Sequence, residues 1–205
     1  MTLRQHSLWL TGLALLAVHA AYLLSASAGR VPWCWPYIEG CTSISRAARH
    51  GEANLLFKLL MLPHAVLLAA FWWRLAAALA SPLPVVMRAT GMAGAAFLAL
   101  YVLTLGADGG LYGWMRRYGI TGFFGLTLLA ECLAVRQLLP SPRRGPLLAA
   151  CAALLGGGLL SLPLQHWAAD RDAAVNALEW AYALLLLSLY PGLASAAERR
   201  PAPPG

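Results

Sequence analysis

Apolar residues fill six stretches of about twenty positions, at 8–28, 53–73, 86–106, 119–139, 146–165 and 174–193, and charge, proline and glycine gather between them. A helix of about 20 residues rising 1.5 Å per residue covers a hydrocarbon core of roughly 30 Å. The pattern therefore predicts an all-α bundle of six membrane-spanning helices over 1–196, with a disordered tail at 197–205, where prolines and two arginines replace the apolar run. The stretch from Leu8 to Ala28 exceeds the roughly 7–15 residues of a signal-peptide core and holds His19 and Tyr22, so it reads as a retained span.

Composition agrees with the pattern. Hydrophobic residues make up 60% of the 205 positions and charged residues 11%, with mean hydropathy +0.64, which leaves too little polar surface for a water-soluble fold. The net charge of +7 comes from arginines in ones and twos between apolar stretches, a topology signal and not a nucleic-acid surface. With both ends in the cytoplasm, Arg4, Arg74, Arg88, Arg136, Arg143, Arg144, Arg199 and Arg200 lie inside, and Arg30, Arg46, Arg49, Arg116, Arg117 and Arg171 lie outside. That orientation puts Cys34 and Cys41 in the first outer loop, where an oxidising compartment permits a disulfide; two free thiols are the alternative. Fourteen arginines beside the single Lys58, with abundant Ala and Leu, point to a GC-rich bacterial genome and hence to a bacterial inner membrane.

The outer loop, 29–52, is the least ordinary connection. Trp33, Trp35 and Tyr37 favour the headgroup zone, and the segment from Thr42 can begin a short helix capped by Thr42 or Ser43 that offers Arg46 and Arg49 to lipid phosphates. A purely structural lid is the competing reading. Gly91 and Gly94, and Gly119, Gly122 and Gly125, form small faces for close helix approach, whereas Gly156, Gly157 and Gly158 followed by Pro163 loosen the fifth span.

Ionisable groups inside spans are costly and mark interior sites. Lys58 and Glu179 each lie roughly 8 Å below the outer surface and can pair, unless Lys58 snorkels to the headgroups. His19 and Asn176 can join them in one polar cluster beneath the loop. His64 and Glu131, each roughly 17 Å in, can form a second pair near the midplane. Ser43, Ser45, His50, His166, Asp170 and Asp172 share the outer side, where a Ser-His-Asp arrangement could assemble, although their spacing does not require it. No HExxH and no paired CxxC is present, and neither a metal nor a cofactor is expected.

The sixth span, Asn176-Ala177-Leu178-Glu179-Trp180-Ala181-Tyr182, resembles the closing span of the DRAM family, the damage-regulated autophagy modulators. Pro36-Tyr37-Ile38 resembles that family's outer loop, and Tyr118-Gly119 through Phe123-Phe124-Gly125 its fourth span. The resemblance implies six spans with internal ends, in a superfamily that includes proteins assisting GPI-lipid remodelling and others tied to sterol or phosphoinositide balance. The expected function is a non-enzymatic membrane protein that binds or helps redistribute membrane lipids, with Lys58, Glu179, Asn176, His19, Arg46 and Arg49 at the lipid. A scaffold or assembly factor for another membrane protein, and an outer-face acyltransferase or lipid hydrolase, are the alternatives.

Overall fold

The computed structural model of the chain describes residues 1–79, 84–107, 109–138, 144–167 (without the side chains of 162 and 164–167) and 170–199. Among these all regular structure is helical, and six helices are long and apolar enough to cross a membrane. They are α1 (Leu3–Ser27), α4 (Gly51–Ala78), α5 (Pro84–Thr104), the continuous run from α6 (Gly110–Trp114) through a π-helical turn (Met115–Gly119) into α7 (Ile120–Gln137), α8 (Arg144–Trp167) and α9 (Arg171–Glu198). Two short helices, α2 (Pro36–Glu39) and α3 (Ile44–Ala47), punctuate the first loop.

The helices form a closed ring in chain order: α1 packs on α4, α4 on α5, α5 on α7, α7 on α8, α8 on α9, and α9 back on α1. Small residues set the close approaches. Along α1 the buried stripe is Leu10, Ala14, Ala17 and Ala21, and a side chain at Gly91 of α5 would run into the indole of Trp72 on α4. Phe71, Trp72 and Tyr190 meet edge-to-face with ring centroids 5.4–6.2 Å apart and seal the half of the interior away from the first loop. Leu8, Leu16, Leu23, Leu55, Leu59, Leu100 and Leu103 point outward and are exposed, as apolar side chains facing lipid would be.

Met1 and the end of α9 at Glu198 sit at the end of the bundle opposite the first loop. The Arg4 amide donates to Glu198 Oε1 at 3.0 Å, and Arg74 donates to the Met1 carbonyl at 2.7 Å. Helix starts follow local chemistry: Thr2 and Gln5 form a reciprocal capping box, Ser43 caps α3 through the Arg46 amide at 3.1 Å, and Asp170 caps α9 through the Ala173 amide at 3.0 Å.

Several expectations change. The fourth span starts nine residues before position 119, because the π-helical turn carries the helix through Gly119 unbroken. Helix α9 continues through Ala197 and Glu198, which belong to the bundle and not to a tail. Helix α8 runs through Gly156, Gly157, Gly158 and Pro163 as one element. Arg143, Arg200 and the remainder of the tail lie outside the described residues.

Candidate functional site

The first loop is stitched to α9 by three side chains on one helical face. Asn176 Nδ2 donates to the Gly40 carbonyl at 2.8 Å, Trp180 Nε1 donates to the Thr42 carbonyl at 2.9 Å, and the Ile44 amide donates to Glu179 Oε1 at 3.1 Å. Positions i, i+3 and i+4 of α9 thus read every second residue of the loop. Gly40 closes α2 at φ +57°, and a Cβ there would overlap the Ala173 backbone, so both conformation and space require glycine. Cys34 and Cys41 form a disulfide, Cα atoms 6.5 Å apart, that closes the α2 turn. The Tyr22 hydroxyl, which donates to the Cys34 carbonyl at 2.8 Å and accepts from the Cys34 amide at 2.9 Å, holds its other side to α1.

His19 completes this anchor. Its Nδ1 lies 2.8 Å from the Leu15 carbonyl, which can only accept, so Nδ1 carries the proton and Nε2 accepts from the Tyr37 hydroxyl at 2.9 Å. The Tyr37 ring packs on His19 and on Trp180, centroids 6.0 and 5.4 Å apart, and burial pushes the Tyr37 hydroxyl's pKa up. The sixth-span segment and the Pro36-Tyr37-Ile38 segment therefore meet face to face.

Beside this anchor a cavity of about 520 Å³ opens among the loop, the π-helical turn and the start of α9. Arg46, Arg116 and Arg171 supply three guanidinium groups from three different elements, and Ser45, Tyr101, Asp172, Asn176 and Glu179 complete its polar wall. Apolar side chains enter the lining below the arginines, most clearly along α7. Along α7 it passes from Arg116 to Ile120 and Phe124; along α9 it passes from Arg171 and Asp172 to Val175. At Phe124, Val175 and Glu179 the cavity adjoins a groove of about 440 Å³ between α7, α8 and α9, lined by Gly125, Leu128, Leu154, Leu155, Gly157, Gly158, Leu159, Leu178 and Tyr182. Leu155 and Leu159 are exposed, so the groove is open sideways toward the bilayer.

The expected clusters are rearranged. Glu179, Asn176 and Arg46 share the cavity, but Lys58 is half-buried on α4 and is not part of its lining, and Glu179 takes the Ile44 amide in place of an ammonium. His19 turns to Tyr37, and Arg49 lies over the Tyr112 ring at 5.7 Å. His64 and Glu131 do not pair: His64 Nδ1 donates to the Leu10 carbonyl at 3.1 Å, and both Glu131 oxygens are buried without a hydrogen-bond partner among the described residues. His64 instead shares a small void of about 60 Å³ with Glu179. The Ser43 and Ser45 hydroxyls bond each other at 3.2 Å, and neither bonds His50 among the described residues; the His166 side chain lies outside them.

Arg116 and Arg171 count in the sequence only as topology charges, and Tyr101 carries no signal there. What marks the two arginines is position: each stands in the first turns of a long helix, at the end of the bundle that carries the first loop. No protein-family model, curated protein or solved structure matches the chain.

Proposed function

We propose that this multi-pass membrane protein binds a membrane lipid at the outer ends of α7, α8 and α9, without catalysis of its own. The observation that carries this reading is that the arginine-lined cavity adjoins the apolar groove, the two sharing Phe124, Val175 and Glu179 in their walls. A polar mouth over an apolar slot suits an amphiphile, and both volumes fall in the roughly 300–1,000 Å³ range of small-molecule sites. The lateral opening at Leu155 and Leu159 gives a tail entry without leaving the bilayer. An open cavity favours this reading over a scaffold, and the mutual bonding of Ser43 and Ser45 favours it over a serine hydrolase.

The test fills the groove. Gly125 lines it, and a Cβ there meets nothing within 4 Å, so a side chain can start there and Gly125→Phe directs a ring into the slot. Phospholipid co-purifying with the protein, measured by extraction and mass spectrometry, should fall several-fold in Gly125→Phe and stay at the wild-type level in Lys58→Ala. Equal lipid in wild type and Gly125→Phe, with unchanged melting, would overturn the reading.

A further inference from the structure

Resting on the lipid reading above, we infer that the ligand is an anionic glycerophospholipid with a hydroxyl-bearing headgroup, its phosphodiester held among Arg46, Arg116 and Arg171. The cavity lining sets three guanidinium groups against the carboxyls of Asp172 and Glu179, so basic groups outnumber acidic ones and the cavity suits an anion. Guanidinium is the side chain best matched to phosphate, because its planar fork donates two parallel hydrogen bonds to two oxygens. All three arginines are exposed, so no burial of charge has to be offset before the ligand arrives.

Asp172 decides the headgroup. Asp172 stands beside Arg171 in the first turn of α9 and is exposed, whereas Glu179 is engaged by the Ile44 amide. Ionised carboxylates only accept, so the groups facing them must donate. Headgroup hydroxyls do so, whereas a quaternary ammonium headgroup has no N–H or O–H to offer. From Arg171 to Glu179 is eight residues, roughly 12 Å along α9 at 1.5 Å per residue. Within that distance Val175, with Ile120 and Phe124 of α7 opposite, adds apolar lining above the groove. A free phosphate would leave the groove below it unfilled, and a neutral diacylglycerol would leave the arginines unpaired.

Binding of lipids with identical acyl chains to the purified full-length protein, followed by native mass spectrometry in detergent, separates these cases. The probes are phosphatidylglycerol, phosphatidylcholine and diacylglycerol, with soluble glycerol phosphate as competitor. Wild type should prefer phosphatidylglycerol over diacylglycerol by about tenfold or more, the size of one charge-assisted hydrogen bond, and over phosphatidylcholine by a smaller factor. The double variant Arg116→Ala with Arg171→Ala should bring the three lipids within about twofold of one another while diacylglycerol binding stays unchanged, which also reports intact folding; Lys at both positions should restore part of the preference. Wild type binding all three alike, or the double variant keeping the preference, overturns the headgroup assignment and leaves lipid binding standing. No lipid retained by wild type overturns both. Glycerol phosphate displacing the lipid at equimolar concentration assigns the site to a free phosphate and overturns the lipid source.

Discussion

Trp180 donates its indole N–H to the Thr42 carbonyl at 2.9 Å, and both groups are buried. This bond sits between those of Asn176 and Glu179 and fixes the loop that forms one wall of the cavity. Trp180→Phe keeps most of the ring packing against Tyr22 and Tyr37 but leaves the Thr42 carbonyl unpaired, at a cost of about 1–3 kcal/mol. Melting of the purified protein should drop accordingly, whereas Trp33→Phe, at an exposed ring, should leave it unchanged. Equal melting of wild type and Trp180→Phe would show that the bond contributes nothing.

The disulfide joins cysteines seven residues apart, and closing a loop of that length restricts the unfolded chain by about 2–3 kcal/mol at 25 °C. Cys34→Ser with Cys41→Ser should lower stability by that order and raise protease cleavage within residues 32–42. A maleimide reagent should label no thiol in this loop of the native protein before reduction and two after it. Labelling of both thiols without reductant would refute the bond.

How much of this was legible in the sequence differs between fold and site. The six spans follow from the length of apolar runs, which the bilayer thickness sets, so single positions hardly matter. The cavity depends on which residues of different helices share a depth and a direction, and hydrophobic pattern carries neither. Arg116 shows why: its chemistry is visible in the sequence, but its partners, Arg46 and Arg171, lie 70 and 55 positions away and meet it only through the ring order of the helices. Lys58 shows the converse: equal depth with Glu179 suggests a pair, but α4 turns Phe57, Met61 and His64 to the void they share with Glu179. The Asn176, Glu179 and Trp180 triple is intermediate. Its shared face follows from spacing alone, and its target, the loop backbone, does not.

Glycines that look alike in the sequence should behave oppositely. A Cβ at Gly91 would collide with the Trp72 indole, which is fully buried and has nowhere to move. Gly91→Ala should therefore cost about 1–3 kcal/mol as overpacking. Gly125→Ala, facing open space, should be neutral or slightly stabilising in melting assays through helix propensity. The reverse order of the two would mean that α4 and α5 pack differently.

Burial holds the Tyr37 hydroxyl's pKa above its ordinary value of 10.0. Unfolding releases the hydroxyl to titrate normally, so above pH 10 the unfolded chain binds fewer protons than the folded one and stability falls as pH rises. The Tyr37 contribution is complete below pH 10 and is lost as pH climbs through the raised folded value. Tyr37→Phe should accordingly melt lower than wild type at pH 8, because His19 Nε2 loses its donor, and the gap should narrow between pH 10 and 11. A gap independent of pH over that window would place the proton elsewhere.

Glu131 is buried on α7 with both oxygens lacking a hydrogen-bond partner among the described residues, and the Tyr190 hydroxyl and Trp72 Nε1 are likewise unpartnered. A group that is desolvated and unpaired opposes folding, so an apolar replacement of similar shape removes a penalty without removing a bond. Glu131→Met should raise the melting temperature or leave it unchanged, and co-purifying lipid should not change, since Glu131 lines neither the cavity nor the groove. Glu131→Lys places a longer charge in the same apolar surroundings and should prevent accumulation of folded protein. If Glu131→Met instead lowers melting by the 2 kcal/mol or so expected for breaking a buried bond to a charged group, the carboxyl has a partner in the bilayer, and the orphaned Tyr190 and Trp72 groups are the first places to look for it.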